Sequence, residues 1–247
     1  MNQPVLGIDI GGSALKFAPV DTDTGQLTAP AQSLSLPQPA TATALLESVR
    51  ECRSIFSATK SFGVGFPGVV KSGVISLAPH LDKSLVGHDW LTDLKSLTNS
   101  PVALLNDADA AALAEMQFGA GSQNGTILLI TLGTGIGSAL IRDGFLVPNT
   151  EFGHLLLGDT EAEDLAAATV RTRKNLSWDE YGARLNQYLL EMERLLTPDL
   201  IIIGGGISEN FKRFQASLHL NADIVPARLG NNAGLIGAAL ATTLAAN

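Results

Sequence analysis

Three runs of apolar, largely β-branched residues stand out along the chain, and each ends in glycine. Val5-Leu6-Gly7-Ile8-Asp9-Ile10 leads into Gly11-Gly12, Thr126 to Leu132 into Gly133, and Leu200 to Ile203 into Gly204-Gly205-Gly206. Runs that are apolar at consecutive rather than alternate positions predict strands buried on both faces. Glycine directly behind such a strand marks a sharp turn or a close approach to the backbone. In open α/β sheets that is the end where ligands bind.

Between these strands the pattern switches to the helical period. Leu45, Leu46, Val49, Cys52, Ile55 and Phe56 predict a helix over 41–58, and the Ala/Leu-rich stretch 108–118 predicts a second, with Gly119 as its C′ residue. Ser177-Trp178-Asp179-Glu180 has the spacing of a capping box. Behind it Tyr181, Leu185, Tyr188, Leu189, Met192, Leu195 and Leu196 form one apolar stripe, closed by Pro198. Such a stripe belongs to a core or a subunit interface rather than to a cofactor. The alternation of strands and helices predicts a mixed α/β protein, with the polar stretch 99–101 as a linker candidate. No repeat of solenoid period is present. A weaker duplication is visible: Asp9-Ile10-Gly11-Gly12-Ser13 and Thr131-Leu132-Gly133-Thr134-Gly135 are both strand-end glycine turns with a hydroxyl. Each suits one half of a two-lobed phosphate clamp.

Composition narrows the classes. The 247 residues are 45% hydrophobic and 16% charged, which excludes an intrinsically disordered chain. Sixteen basic against twenty-four acidic residues leave a net charge of −8, so neither a nucleic-acid coat nor a polybasic membrane binder is expected. The single Cys52 cannot close an internal disulfide, and with four His the chain lacks a Cys-rich zinc site. Cys52 reads as a small apolar side chain on a helix. No run reaches the roughly 18 apolar residues of a membrane span, and Met1 to Gly12 lacks the features of a signal peptide. A cytoplasmic protein is the expectation.

Several short motifs carry chemistry. In Gly7-Ile8-Asp9-Ile10-Gly11-Gly12-Ser13-Ala14-Leu15-Lys16, two glycines open backbone N–H groups to a phosphate, Ser13 adds a donor and Lys16 a charge. Asp9 can hold a phosphate-bound Mg²⁺ through water. A plain β-hairpin is the alternative; the spacing is not that of a Walker loop. Leu132-Gly133-Thr134-Gly135-Ile136-Gly137-Ser138 imitates a dinucleotide fingerprint, but a strand rather than a long helix follows, so a phosphate-cradling hairpin fits better.

Asn106-Asp107 ends one strand and begins a helix. A carboxylate there can take the proton of a sugar hydroxyl during phosphoryl transfer, or simply cap the helix. Asp109 lies further into the helix and is the weaker base candidate. Glu151 and His154, three residues apart, can hydrogen-bond adjacent sugar hydroxyls. They can equally form a local hydrogen-bond network or begin a metal site, though no Cys cluster follows to complete a coordination shell.

Taken in order, these motifs resemble the ROK family of sugar kinases, within the actin-like and hexokinase-like ATPases, and in particular its zinc-free, polyphosphate-using branch. Asp9 to Ser13 with Lys16 is similar to the first phosphate motif, and Gly65-Phe66-Pro67-Gly68-Val69-Val70 to the sugar loop, followed by Leu81-Asp82-Lys83-Ser84 with Gly87. Asn106-Asp107 resembles the sugar ligand and catalytic base, Thr131 to Ala139 the second phosphate motif, and Val147 to His154 the sugar-binding motif. Pro198-Asp199 through Gly204-Gly205-Gly206-Ile207-Ser208 resembles the adenosine motif, and Leu229 to Gly237 the closing helix.

The resemblance implies an α/β, two-lobed, actin-like/hexokinase-like (ribonuclease H-like) ATPase fold. Residues 1–105 with 235–247 would form the small lobe and 106–234 the large one. It implies phosphoryl transfer from inorganic polyphosphate or ATP to the 6-hydroxyl of glucose, with Asp107 as base. Gly68, Asn106, Glu151 and His154 would bind the sugar, while Asp9, Gly11, Gly12, Ser13, Lys16, Gly133, Thr134 and Gly135 would hold the donor phosphates with Mg²⁺. Gly204, Gly205 and Gly206 would form the nucleotide-like turn, and a homodimer without zinc is implied.

A polyanion on a chain of net charge −8 needs segregated cations, for which Lys16, Lys83, the cluster Arg171, Arg173 and Lys174, the pair Lys212-Arg213, and Arg228 are the candidates. A solvated helix end is the other reading of Arg171 to Lys174. This chain departs from the branch at His80, Leu85 and Leu156, where Asn, Trp and Glu are expected. A strictly ATP-dependent hexose kinase, a non-catalytic sugar-binding protein and an actin-like filament protein are the competing readings. A family repressor is not expected, because the first phosphate strand begins near Val5.

Overall fold

The computed structural model describes residues 3–79 and 81–244, so the departure at His80 lies outside the described residues. The backbone forms two compact units, 1–114 with 232–247 and 115–231. The division therefore falls inside the helix that starts at Asp107, and Asp107 itself belongs to the first unit. The sequence-based boundary at 105/106 had assigned it to the second.

The first unit is built on a sheet in the order β3-β2-β1-β5-β8, with β4 also paired to β2. Its strands are β1 (Val5–Ile10), β2 (Ala14–Asp21), β3 (Gln26–Leu27), β4 (Gln32–Ser35), β5 (Phe62–Phe66) and β8 (Val102–Asn106). A small hairpin of β6 (Val69–Lys71) and β7 (Val74–Leu77) follows β5. Strands β1 and β2 form an antiparallel hairpin, while β1, β5 and β8 run parallel. The helices are α1 (Ala42–Ile55), α2 (Trp90–Lys95), α3 (Asp107–Phe118) and α7 (Ala233–Leu244).

Thr41 caps α1 by accepting from the Ala44 N–H, and the helix ends at Ile55, short of the expected 58. Its apolar face, Leu45, Val49 and Cys52, joins Leu6, Ile8, Phe17, Phe62 and Trp90 in one core. The Cys52 thiol is buried there, which pushes its pKa up to about 12. Residues 99–101 are a short loop leading into β8 within this unit, not an interdomain linker.

The second unit repeats the plan, with strand order β11-β10-β9-β14-β15. Strands β9 (Thr126–Leu132) and β10 (Ile136–Arg142) form a hairpin, β11 (Phe145–Val147) extends it, and β14 (Leu200–Gly204) and β15 (Asp223–Pro226) run parallel to β9. The faint duplication in the sequence is thus a duplicated topology, a hairpin followed by two parallel strands. Between the halves of this sheet come β12 (Leu156–Leu157), β13 (Thr160–Glu161), α4 (Ala162–Ala166), α5 (Ala168–Arg173) and α6 (Trp178–Leu196).

The capping box forms as expected, with the Ser177 hydroxyl accepting from the Glu180 N–H and the Glu180 carboxylate accepting from the Ser177 N–H. The α6 stripe, Tyr181, Leu185, Tyr188, Leu189 and Met192, meets Leu128, Ile130, Ile201 and Ile203 in the second core, while Leu195 is left exposed. Gly119 does not take the left-handed C′ conformation. It is glycine because a Cβ would overlap the buried Glu115 carboxylate. No described helix is long and apolar enough to cross a membrane.

In the first unit, α7 lies on β1, β5 and β8 backbone against backbone. A Cβ on Gly7 would overlap the Leu235 carbonyl, one on Gly63 the Ala238 carbonyl, and one on Gly237 the Ala110 carbonyl. Replacing Gly63 with Ala must lift α7 from the sheet, and overpacking of this kind costs about 1–3 kcal/mol or more. We expect Gly63→Ala to lower the unfolding free energy of the protein by the upper end of that range, read as a lower urea midpoint. An unchanged midpoint would mean that the helix yields without cost.

Candidate active site

In the first unit, three parallel strands end side by side. Asp9 of β1 is in register with Gly65 of β5, Gly65 with Leu105 of β8, and Phe66 with Asn106. A Cβ on Gly65 would lie 3.7 Å from the Asp9 Oδ1 and 3.6 Å from the Asp107 Cα. Two carboxylate residues therefore flank Gly65, whose missing side chain leaves the space between them open. The first helical turn also favours a negative charge at Asp107.

Asp9 is covered from the other side by the start of α7, where a Cβ on Gly234 would come within 2.8 Å of its Cγ. Burial pushes its carboxyl up to about 6, with the charge of Lys16 opposing. Lys16 is its register partner on β2. Loss of solvation combined with an oxygen-only donor pair fits a hard divalent cation, which would replace the missing hydration. The Gly11–Ser13 turn between β1 and β2 is a β-hairpin, closed by the Gly11 N–H donating to the Ala14 carbonyl at 2.9 Å. Gly12 and Ser13 are exposed at its tip.

The Asn106-Asp107 pair divides its labour differently from a simple helix cap. Asn106, not Asp107, caps α3: its Oδ1 accepts from the Asp109 N–H at 3.0 Å. Its Nδ2 donates to the Gly68 carbonyl at 3.1 Å, tying the 66–68 loop to the end of β8. Asp107 is half-buried and accepts from the neighbouring Ala108 N–H at 2.8 Å. Its carboxylate is thereby oriented by the helix start without serving as the cap.

In the second unit, the Gly133–Gly135 turn joins β9 to β10, as the strand pattern predicted. The Gly133 carbonyl accepts from the Thr169 N–H at 3.2 Å, and the Thr134 carbonyl from the Thr169 hydroxyl at 2.8 Å. In a trans peptide the C=O and the following N–H point opposite ways. The start of α5 therefore turns the Thr134 and Gly135 N–H groups to the other side of the loop, where an anion can meet them. Gly205, with φ +78°, packs so closely that a Cβ would overlap the Leu132 backbone.

A cavity of about 320 Å³ opens beside these turns, lined by Leu132, Gly133, Arg171, Trp178, Gly206 and Asn210 among others. The Arg171 guanidinium lies 3.8 Å over the Trp178 indole, and that of Arg213 4.7 Å over it. Arg171 Nε and Trp178 Nε1 are buried without a hydrogen-bond partner. Of the expected cation track, Arg171 borders the cavity, Arg173 is ion-paired to Asp164 at 3.5 Å, and Lys174 caps the exposed end of α5. Lys83 belongs to the first unit. Arg213 is one of the cations that the sequence offers for the polyanion, whereas Trp178 is not among its candidate site residues. As the first helical residue behind a cap, Trp178 carries no periodic signal, and only the fold brings residue 213 to it.

Glu151 and His154 sit on a short turn fastened to β10. The Thr150 hydroxyl donates to the Ser138 carbonyl at 2.8 Å, and the Ser138 hydroxyl accepts from the Phe152 N–H at 3.0 Å. Gly153 is obligatory here, because a Cβ would overlap the Ile136 carbonyl. The Glu151 Oε1 is buried without a hydrogen-bond partner, and burial raises its carboxyl, with His154 opposing. His154 Nε2 lies 4.0 Å from the Glu151 Oε2, and its Nδ1 2.9 Å from the Glu161 Oε2.

The bond to Glu161 is the main cause that raises the imidazole pKa; burial opposes it, and the charges of Glu163, Glu161 and Glu151 add to it. His154, Glu161 and Glu163 each offer an atom within 4.8 Å of the others. Two ligands about 2.0–2.1 Å from a tetrahedral ion would stand roughly 3.3 Å apart. The 2.9 Å separation is that of a hydrogen bond. Glu161 and Glu163 had no sequence signal, because the turn at Gly158 is what returns residue 161 to face residue 156.

The profile of the ROK family matches residues 5–166. The chain belongs to the ROK family. It is 43% identical over 239 residues, 96% of this chain and 90% of the other, to the polyphosphate glucokinase of Mycobacterium tuberculosis. The crystal structure of an inorganic polyphosphate/ATP-glucomannokinase from Arthrobacter sp. strain KM superposes with a TM-score of 0.94. It shares 44% identity, covering 99% of this chain and 100% of that one. A ROK family glucokinase from Streptomyces griseus, 23% identical, shares the fold with a TM-score of 0.83 over 96% and 98% of the two chains. The fold is the two-lobed, actin-like ATPase fold of the ROK sugar kinases. Of the departures within this family, Leu85 is buried in the first core and Leu156 is exposed at the β12 end.

The raised carboxyl of Asp9 has a consequence for stability. The unfolded chain releases this proton near 3.8 and the folded chain near 6, so the folded state binds more protons in between. Stability must therefore fall as pH climbs through that window. At about 1.4 kcal/mol per unit the penalty above it is about 3 kcal/mol. Asp9→Asn is expected to be more stable than the parent by about that amount at pH 8, with the gain vanishing near pH 4. Urea titrations at the two pH values measure this, and an equal gain at both would remove the assignment.

Proposed function

We propose that this ROK protein transfers a phosphoryl group from inorganic polyphosphate, and also from ATP, to the 6-hydroxyl of glucose. What carries the reading is the 43% identity over nearly the full length to polyphosphate glucokinase in a chain whose Asp107 stands on the same sheet end as the half-buried Asp9. Asp107 accepts the proton of the 6-hydroxyl as the oxygen attacks, a contribution on the order of 10²–10⁴ in rate. Asn106, Glu151, His154 and the backbone at Gly68 hold the ring. The half-buried Glu151, with one oxygen lacking a protein partner, is suited to accept from a sugar hydroxyl.

The amides of Gly12 and Ser13, the Lys16 ammonium, and the amides of Thr134 and Gly135 hold the donor phosphates, whereas the Gly11 and Gly133 N–H groups are given to the Ala14 and Gly135 carbonyls and shape the two turns. Asp9 would hold Mg²⁺ through water; when bound, the ion neutralises charge on those phosphates. Arg171, Arg173, Lys174 and Lys83 draw the polymer, and Gly204, Gly205 and Gly206 give room for adenosine when ATP is the donor. The stacking of Arg171 on Trp178 supports a role in holding anionic chain rather than base, since a base on that indole must displace a guanidinium. The enzyme is cytoplasmic and works as a homodimer in this reading.

A coupled assay of glucose 6-phosphate, with polyphosphate or ATP as donor and glucose or mannose as acceptor, tests the reaction. Asp107→Ala should lower turnover by about 10²–10⁴-fold with both donors; retained turnover would refute the base. The Arg171→Ala/Arg173→Ala pair should weaken polyphosphate, leave the KM for glucose unchanged and flatten the salt dependence. Unchanged polyphosphate affinity would remove the cation track.

A further inference from the structure

Residue 161 is the N-cap of α4, where a side-chain oxygen ordinarily satisfies the first helical amides. Glu161 makes no such bond. Its backbone is extended at φ −65° and ψ 144°, and the β12–β13 pairing sets it opposite Leu156, two residues beyond His154. The Ala162 N–H donates to the Leu155 carbonyl at 2.8 Å, which pins this strand end against the residue next to the histidine. From there the carboxylate reaches back to His154 Nδ1 at 2.9 Å. A carboxylate only accepts, so the proton of this bond is on Nδ1.

The other nitrogen, Nε2, lies on the side of Glu151 at 4.0 Å. We propose that Glu161 is a positioning residue, whose grip on His154 Nδ1–H fixes the ring and commits Nε2 to a sugar hydroxyl beside Glu151. This inference rests on the sugar-binding role given to Glu151 and His154 above. In the charged ring Nε2–H donates to a hydroxyl oxygen, and in the neutral ring Nε2 accepts; Glu161 determines that the ring never presents the reverse tautomer.

The other carboxylates near the ring hold it less firmly. Glu163 faces the same ring but has no hydrogen bond to it, and its charge acts on Glu151 as well. Glu151 itself is 4.0 Å from Nε2, beyond a hydrogen bond, and so leaves the ring free to rotate. With the turn beneath His154 already clamped to β10 by Thr150 and Phe152, the remaining freedom is rotation of the imidazole, which the bond to Glu161 removes.

The test uses the full chain and two variants. Glu161→Ala removes the acceptor; Glu161→Gln keeps an amide oxygen that accepts from Nδ1–H and removes the charge. In the ligand-free protein, long-range ¹H–¹⁵N spectra of His154 should show the Nδ1–H tautomer in the parent and in Glu161→Gln, and a tautomer mixture in Glu161→Ala. The protonation midpoint should fall most in Glu161→Ala, which loses the bond and the charge, and less in Glu161→Gln, which loses only the charge, while Glu151 and Glu163 still face the ring. With glucose, Glu161→Ala should raise KM on the order of tenfold, with a much smaller change in kcat. Glu161→Gln should restore most of the KM.

An unchanged tautomer in Glu161→Ala, or a KM unmoved while the melting temperature falls, would overturn the proposal and leave Glu161 a structural residue. Should the parent phosphorylate no hexose, the functional reading fails, and the spectra still decide whether Glu161 orients the ring. Glu161→Leu, which keeps the bulk of the side chain and removes the acceptor, gives the same tautomer and KM readouts if Glu161→Ala does not fold.

Discussion

The contact of α7 with the first sheet is made by backbone on both sides, and the placement of Asp9 and Asp107 depends on it. Gly7 and Gly63 let the helix descend on the sheet until its carbonyl groups sit where side chains would be, and Gly237 does the same for the Ala110 carbonyl of α3. At that depth Gly234 covers Asp9, and water is displaced from its carboxyl. Gly65 leaves open the space between Asp9 and Asp107. The same missing side chains thus tighten the packing and create a charge that needs a partner. A site that stores such a penalty is characteristic of function rather than of stability.

The second unit positions its groups by hydrogen bonds instead. Thr169 holds the carbonyls of the Gly133–Gly135 turn, Ser138 and Thr150 exchange bonds beneath Glu151, and Glu161 holds His154. Glu115 works in the same way at the end of α3. Its fully buried carboxylate accepts from the N–H groups of Ala120, Arg228 and Leu229 at 2.8–3.1 Å. It fastens the segment before α7 to the start of the second unit, next to the two places where the chain passes between units. Each of these bonds joins residues far apart in sequence or separated by a turn, and each orients a backbone or ring that presents chemistry.

Strands were the most legible elements, because burial on both faces leaves an apolar run that nothing else explains. β1, β9 and β14 appear in the structure where the runs lie, and the capping box at Ser177 starts α6 as its spacing requires. Helix ends were less legible. Gly119 has the composition of a left-handed C′ residue and does not adopt that conformation, because a buried glutamate claims its space. Asp107 has the composition of a cap, yet Asn106 takes the role because it reaches both the Asp109 amide and the Gly68 carbonyl. Which of two adjacent polar residues caps a helix depends on what each can also reach, and that is tertiary information.

The chain alone determined the α/β class and the two strand-end turns, and it offered the acids and the imidazole as candidates, because these follow from local spacing and side-chain chemistry. Only the folded structure decided the unit boundary inside α3, the cover of two guanidiniums on Trp178, and the partnership of Glu161 with His154. The physical reason is the range of the forces involved. Periodicity and turn chemistry act over a few residues, whereas burial, stacking and a shared proton join groups whose proximity no local spacing encodes.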